Sequence, residues 1–372
     1  MQHAPQEIYL DANASEPLRP AAQRAILESL TLPGNPSSIH AAGRAARRLL
    51  EDSRTVIART VGAAPADIIL CSGGTEANAI AIAGLSPGRR VLMGATEHDA
   101  VRAAAPGAEI LLVHPQGGLD LAALAAALEG KGPALVCLML ANNETGVLHP
   151  IAAAAALCHA RGALLHVDAA QAVGRIPVDL GELGADTLAF SAHKLGGPKG
   201  AGALALASGL AIAPLIAGGG QERGRRGGTP ALPAIAGFAA ALAESGEGVA
   251  QLAPLRDRLE QGATAVGALV CGGGARLPNT TCLALAGARA ETQVINLDLA
   301  GVRVSAGAAC SSGKVTQSHV LAAMGLGALA SCAIRVSLPW NATDAQVDGF
   351  LAAYAEMAAR LAPAAARTIS AA

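Results

Sequence analysis

Short apolar runs alternate with helix-like stretches through the first half of the chain. The runs are "DIILCSG" (67–73), "RVLMGA" (90–95), "AEILLVHP" (108–115), "ALVCLML" (134–140), "ALLHVDAA" (163–170) and "TLAFSA" (187–192). Between them lie segments such as "LDLAALAAALEG" and "IAAAAALCHARG", with an acid near the start or a glycine just past the end, the usual marks of helix boundaries. Strand then helix, repeated, predicts an α/β fold whose mainly parallel sheet is covered on both faces.

After about residue 230 the texture changes. A long helical pattern through "PAIAGFAAALAESGEGVAQLAPLRDRLEQGA" gives way to shorter strands such as "TCLALAG" and "AIRVSL". The Gly/Ser/Glu cluster at 244–248 is the candidate boundary. It divides a large domain (15–248) from a smaller α+β domain made of 1–14 and 249–372. Thr343 and Gln346 form a capping-box pattern, and Phe350, Leu351, Tyr354, Met357 and Leu361 follow at helical spacing as a core stripe. The alanine-rich tail from Pro363 is expected to fray. No internal repeat is present.

Composition narrows the class. Hydrophobic residues make up 52% but aromatics only 2%, so the core is built from Ala, Val, Leu and Ile. Net charge is −1, with cations scattered among acids, which argues against a phosphate backbone as a direct ligand. The N-terminal stretch lacks the basic and apolar regions of a signal peptide, which predicts a cytoplasmic protein. The uncharged run 200–220 is long enough to span a membrane, but its Gly, Ser and Pro content predicts a buried strand, a turn and a second apolar segment. Seven cysteines without a C-x-x-C pair or Cys/His clustering argue against a disulfide framework or a metal. Cys71, Cys137, Cys282 and Cys332 lie in or beside apolar runs and are expected in the core. Cys310, in "SAGAACSSGK", has only small and polar neighbours.

In an open parallel sheet, ligands bind beyond the carboxyl ends of the strands. After the first apolar run comes "CSGGTEANAIAI", where two glycines, the Thr75 hydroxyl and a helix N-terminus suit a phosphate, although an ordinary capping turn reads the same way. No G-x-x-x-x-G-K-[S/T] motif occurs, and "GLGALA" (325–330) follows a helix rather than a strand, so ATP and NAD are disfavoured. Asp168 ends one strand, and Ser191, His193 and Lys194 follow another. A phosphate cradle, a lysine able to form a Schiff base and an aspartate to hold a protonated ring nitrogen are together the requirements of pyridoxal phosphate.

At this point the chain resembles a known family. "GNPSSIHAAGRAAR", "SGGTEANAIAI", "ATEHDAV", "ANNETGV", "HVDAAQAVGRIPVDL", "SAHKLGGPKG", "GGGQERGRRGGT" and "SAGAACSSGKVTQSHVLAAMG" are similar to motifs of NifS/IscS-type cysteine desulfurases, in the class V aminotransferase superfamily. The likeness runs from Tyr9 to about Thr343. It implies the aspartate aminotransferase-like fold of pyridoxal phosphate enzymes, with a seven-stranded large-domain sheet.

By that resemblance Lys194 carries the cofactor and moves the Cα proton, Asp168 keeps the ring nitrogen protonated, and Gln171 bonds the phenolic oxygen with Asn143 beside it, near the substrate. His98 stacks on the ring. Gly74, Thr75, Ser191 and His193 hold the phosphate, with Thr229 supplied by the other subunit of a homodimer. Arg335 binds the substrate carboxylate, and Cys310, on a loop at about 305–318, takes sulfur from L-cysteine as a persulfide for an acceptor protein. The acceptor stays open among iron-sulfur cluster assembly, tRNA thiolation and a nitrogenase system, since the chain ends soon after Thr343 without the longer tail of housekeeping members. Departures from the usual pattern fall at "YLDANASEP", Gln221 and Pro339. A selenocysteine or cystine lyase or an aminotransferase on the same fold is the alternative, as is a non-catalytic partner that keeps the fold for binding.

Overall fold

The computed structural model describes residues 7–307 and 317–369, with side chains as far as Leu361. After a short first strand, β1 (Ile8–Tyr9), the six predicted runs become β2 (Ile68–Cys71), β3 (Arg90–Gly94), β4 (Glu109–Leu111), β5 (Ala134–Met139), β6 (Leu164–Asp168) and β7 (Thr187–Ser191). A seventh strand, β8 (Gly202–Leu206), completes a sheet ordered β2-β8-β7-β6-β5-β3-β4. β8 is antiparallel to both neighbours, and the other pairings are parallel. Every residue of β5, β7 and β8 is buried. Strands covered on both faces need no polar side, which is why they appear in the sequence as continuous apolar runs. The edge strand β4 instead exposes Glu109 and Ile110.

With few rings available, small side chains let the layers approach closely. A Cβ on Gly237, in the helix Leu232–Ala243, would come within 2.6 Å of Ile26 on the helix Pro20–Ser29. One aromatic pair, Phe190 of β7 against Phe238, joins sheet to helix with ring centroids 5.6 Å apart.

The rest of the chain packs around a second apolar cluster. β9 (Leu269–Val270), β10 (Thr280–Ala284), β12 (Ser305–Ala306) and β13 (Ala333–Ser337) form an antiparallel sheet ordered β12-β13-β10-β9. β11 (Val302–Arg303) pairs in parallel with β1, so Leu10 from the N-terminal segment joins this cluster beside Leu259, Val336, Phe350, Tyr354 and Met357.

The structure adds detail to three sequence expectations. The long helical pattern after 230 breaks into Leu232–Ala243 and Leu252–Ala265, around the cluster at 244–248. In the run 200–220, β8 is the expected buried strand, followed by a turn and the second apolar segment. That segment lies outside helix and strand, and Leu215 and Ile216 are 48% and 44% exposed. The last helix spans Asp344–Ile369 and so includes Pro363. Cys310 lies outside the described residues, as does Lys314. The six other cysteines are free and buried. Among the described residues no helix is long and apolar enough to cross a membrane.

The capping box forms as the pattern predicts: Thr343 N–H donates to Gln346 Oε1 at 3.0 Å and Gln346 N–H to Thr343 Oγ1 at 3.4 Å. Thr343→Ala should therefore cost about 1 kcal/mol, read as a lower urea midpoint at unchanged m-value. An unchanged midpoint would show that this cap contributes nothing to the last helix.

Candidate active site

The parallel register brings successive strand ends level. Met139 pairs with Asp168, and Asp168 with Ala189. The turns beyond those ends line one cavity of about 230 Å³. Its wall includes Gly74 and Thr75 after β2, His98 after β3, Asn143 after β5, Asp168, Ala170 and Gln171 at β6, and Ser191, His193 and Lys194 at β7. The structure thus gathers nine of the residues singled out from sequence: Gly74, Thr75, His98, Asn143, Asp168, Gln171, Ser191, His193 and Lys194.

One end of the cavity is built for an anion. Gly73 has φ 155°, a region that favours glycine, and precedes the helix Gly74–Leu85 with no side chain capping its first N–H groups. A Cβ on Gly202 would lie 2.5 Å from Gly73 Cα, so β8 and this turn touch backbone to backbone. Beside the turn, Ser191 Oγ is buried and has no hydrogen-bond partner among the described residues. A phosphate would supply the acceptor that this hydroxyl lacks.

The other end centres on Asp168, which is 7% exposed. Asn78 Nδ2 donates to its Oδ2 at 2.7 Å and the Ala170 N–H to its Oδ1 at 2.9 Å. Asn78 Oδ1 lies 2.9 Å from His166 Nε2, and His166 Nδ1 lies 2.8 Å from Thr187 Oγ1. Burial pushes His166 down to about 4, so the ring is neutral. Because Asn78 turns its oxygen to His166, the proton sits on Nε2, and the Thr187 hydroxyl donates to Nδ1. This chain of neutral donors fixes the carboxylate's orientation and leaves it to meet a cation in the cavity.

Lys194 Nζ donates to the carbonyls of Asn13 at 2.6 Å and Ala14 at 3.1 Å. Gln171 is clamped as well, with Nε2 donating to Asn13 O at 3.1 Å and Oε1 accepting from Arg175 at 2.7 Å. Arg175 in turn pairs with buried Glu16 at 3.1 Å. Asn13 is itself tied to the second sheet, its Nδ2 donating to Thr280 Oγ1 at 2.9 Å, and the same nitrogen donates to Asn143 O, after β5, at 3.1 Å. Desolvation, aided by Lys194, Lys199 and Arg175, pushes His193 down to about 4. His98 caps the helix Asp99–Ala104, its Nδ1 accepting from Ala100 N–H at 3.1 Å, which places its proton on Nε2.

Two predicted residues lie off the cavity wall. Arg335, 2% exposed, donates to Asn143 O at 3.3 Å and to Asp11 Oδ1 at 2.7 Å, while its Nε is buried without a partner among the described residues. Exposed Thr229 lines a separate pocket with Ser72, Glu222 and Arg226. Sequence reasoning missed Asn78, Asn13, His166 and Arg175 as members of the site. Asn78 and His166 do sit within quoted motifs, at helical spacing from Gly74 and two residues before Asp168, the signal that could have found them.

The cavity therefore fits pyridoxal phosphate on three counts: a buried hydroxyl without a partner among the described residues, at a helix N-terminus, for the phosphate, an oriented carboxylate for the ring nitrogen, and a lysine in the same wall.

Comparison with known proteins agrees with that chemistry. The family model for aminotransferase class-V matches residues 8–350. A cysteine desulfurase of Cereibacter sphaeroides is 45% identical, covering 93% of this chain and 94% of its own. An IscS-like cysteine desulfurase of Mycobacterium tuberculosis is 37% identical, covering 92% and 94%. The crystal structure of a NifS-like protein from Rickettsia africae superposes with a TM-score of 0.88 at 33% identity, covering 95% of this chain and 99% of the other. The match spans the turns that build the cavity as well as the second sheet: this chain belongs to the aminotransferase class-V family and is a pyridoxal phosphate-dependent enzyme.

Proposed function

We propose that the protein is a cysteine desulfurase, converting L-cysteine to L-alanine and leaving the sulfur as a persulfide on Cys310 for an acceptor protein. The observation that carries this reading is the convergence of Lys194, Asp168, His98 and the Ser191 cradle on one cavity, in a chain 45% identical to a curated cysteine desulfurase over nearly its full length. A solved structure similar to this one, with TM-score 0.79 and 28% identity, is described as SspA in complex with cysteine. Both lend more support to a desulfurase than to a lyase or aminotransferase.

Pyridoxal phosphate, when bound, supplies an electron-withdrawing ring that weakens bonds at the substrate Cα. The chain's residues do the rest. Gly74, Thr75, Ser191 and His193 would hold the phosphate, Gln171 and Asn143 would border the ring oxygen, and Asp168 would hold the ring nitrogen in its charged form. Lys194 would hold the cofactor covalently, and its amine would move the Cα proton. His98, with its proton on Nε2, would hold and exchange a proton with the substrate from the same wall. The Cys310 thiolate attacks the substrate sulfur: an S–S bond forms, the Cβ–S bond breaks, and its electron pair stays on carbon, which takes up a proton. The two sulfurs are oxidised to the persulfide level as the carbon is reduced, so no outside oxidant is needed.

Arg335 receives the substrate carboxylate in this reading, with Asp11 and the Asn143 carbonyl fixing the guanidinium plane. Thr229 lies away from its own cavity, as a residue serving the other subunit's phosphate site in a homodimer would. We place the protein in the cytoplasm, and its division falls between a large cofactor-binding part (15–248) and a smaller part carrying Cys310.

Purified protein incubated with L-cysteine and a reductant should release alanine and sulfide. Cys310→Ala should abolish turnover yet keep the cofactor's absorbance, whereas Lys194→Ala should lose turnover and the wild-type spectrum. Sulfide release by Cys310→Ala at the wild-type rate would exclude the mechanism. Arg335→Lys should raise KM for L-cysteine by about tenfold or more, with a smaller change in kcat, because lysine cannot make the paired contact. An unaltered KM would remove Arg335 from substrate binding.

A further inference from the structure

Arg175 follows Gln171 in "HVDAAQAVGRIPVDL" and is 4% exposed. Gly174, with φ 84°, turns the chain just before it, and a Cβ there would come within 2.9 Å of Leu195, the neighbour of Lys194. The guanidinium reaches back to Gln171: Nη1 donates to the Gln171 carbonyl at 3.0 Å and to its side-chain Oε1 at 2.7 Å. Nη2 donates to Glu16 Oε2 at 3.1 Å and to Ala12 O at 3.4 Å. On the other side of the amide, Gln171 Nε2 donates to Asn13 O at 3.1 Å.

These partners leave the amide one orientation. A guanidinium has only donors and a carbonyl only acceptors, so a flipped Gln171 would set N–H against N–H and oxygen against oxygen. Nε2 carries two N–H groups, of which Asn13 takes one. The second is left for the cavity, whose wall Gln171 lines. Burial lowers the proton affinity of the Arg175 guanidinium, and Glu16 opposes that fall. A buried ion pair of this kind adds little to stability on balance, so holding the fold does not account for its place beside the cavity.

We propose that Arg175 is a positioning residue for the cofactor's ring oxygen: it fixes the Gln171 amide so that a hydrogen-bond donor, not an acceptor, meets that oxygen. The proposal rests on the placement of Gln171 beside the ring oxygen given above. A phenolic oxygen that has lost its proton accepts from such a donor in a charge-assisted bond, whereas the amide oxygen in the same place would repel it. The site therefore selects aromatic aldehyde phosphates that carry a hydroxyl beside the aldehyde over those that lack it.

The test titrates full-length protein, freed of cofactor, with pyridoxal phosphate and with its 3-deoxy analogue, which lacks the ring hydroxyl but keeps aldehyde and phosphate. The ratio of the two dissociation constants is compared among wild type, Gln171→Met, Glu16→Gln/Arg175→Met and the protein with all three substitutions. Glu16 and Arg175 are replaced together because removing one alone leaves the other charged, buried and unpaired. Wild type should prefer pyridoxal phosphate. Glu16→Gln/Arg175→Met should lower that preference roughly tenfold, the worth of one bond to a charged acceptor, with little change in affinity for the analogue. Once Gln171 is replaced by Met, the same two substitutions should change the preference by less than about twofold, since Arg175 then has no amide to hold. Arg175→Lys keeps the charge and a partner for Glu16 but not the fork that reaches both Glu16 and Gln171, and should lower the preference in the same direction. Equal losses for both ligands would show a merely structural pair, and a loss that persists beside Gln171→Met would show the charge acting through space. Either result, or an unchanged preference in Arg175→Lys, would overturn the proposal. A preference untouched by Gln171→Met would instead overturn the placement of Gln171 beside the ring oxygen.

Discussion

The site depends on a carboxylate held out of water at the end of a parallel strand. Asp168 closes β6 and is almost fully buried, so its charge must be met by hydrogen bonds and by a cation within the cavity. The hydrogen bonds come from Asn78 and the Ala170 N–H, and Asn78 is held in turn by a neutral His166 anchored on Thr187. A protonated ring nitrogen is the kind of cation this arrangement awaits. Parallel pairing does the remaining work: by setting neighbouring strand ends level, it places the turn after each strand around that one carboxylate.

The second sheet is not merely attached to this centre. Asn13 lends its backbone carbonyl to Lys194 and Gln171 while its side chain bonds Thr280 and Asn279, so the first segment of the chain links the lysine to β10. Arg335 reaches from β13 to Asn143, and Ser318 reaches from the far side of the Cys310 segment to Glu144. The two apolar clusters therefore meet across a polar seam made of residues adjacent to the cavity.

Much of this was legible in the chain. Strands buried on both faces, such as β5 and β7, show up as unbroken apolar runs, and polar residues directly after such runs could be assigned to the ligand face. Local chemistry also read well: the Thr343–Gln346 cap formed as its spacing implied. What failed to show were residues defined by distant partners. Asn78 looks like one more polar position on an apolar helix until β6 brings Asp168 and His166 against it, and Arg175 looks like a surface cation until Glu16 and Gln171 enclose it. Hydropathy likewise does not separate a buried strand from an exposed apolar stretch: after β8, Leu215 and Ile216 lie outside helix and strand and are exposed.

The most direct measurement is the location of the transferred sulfur. Protein given a single equivalent of L-cysteine without reductant, digested and mapped by mass spectrometry, should carry one added sulfur atom on the peptide containing Cys310, and the Lys194→Ala protein should carry none. Added sulfur on one of the six buried cysteines, or on Cys310 in the lysine variant, would contradict the account.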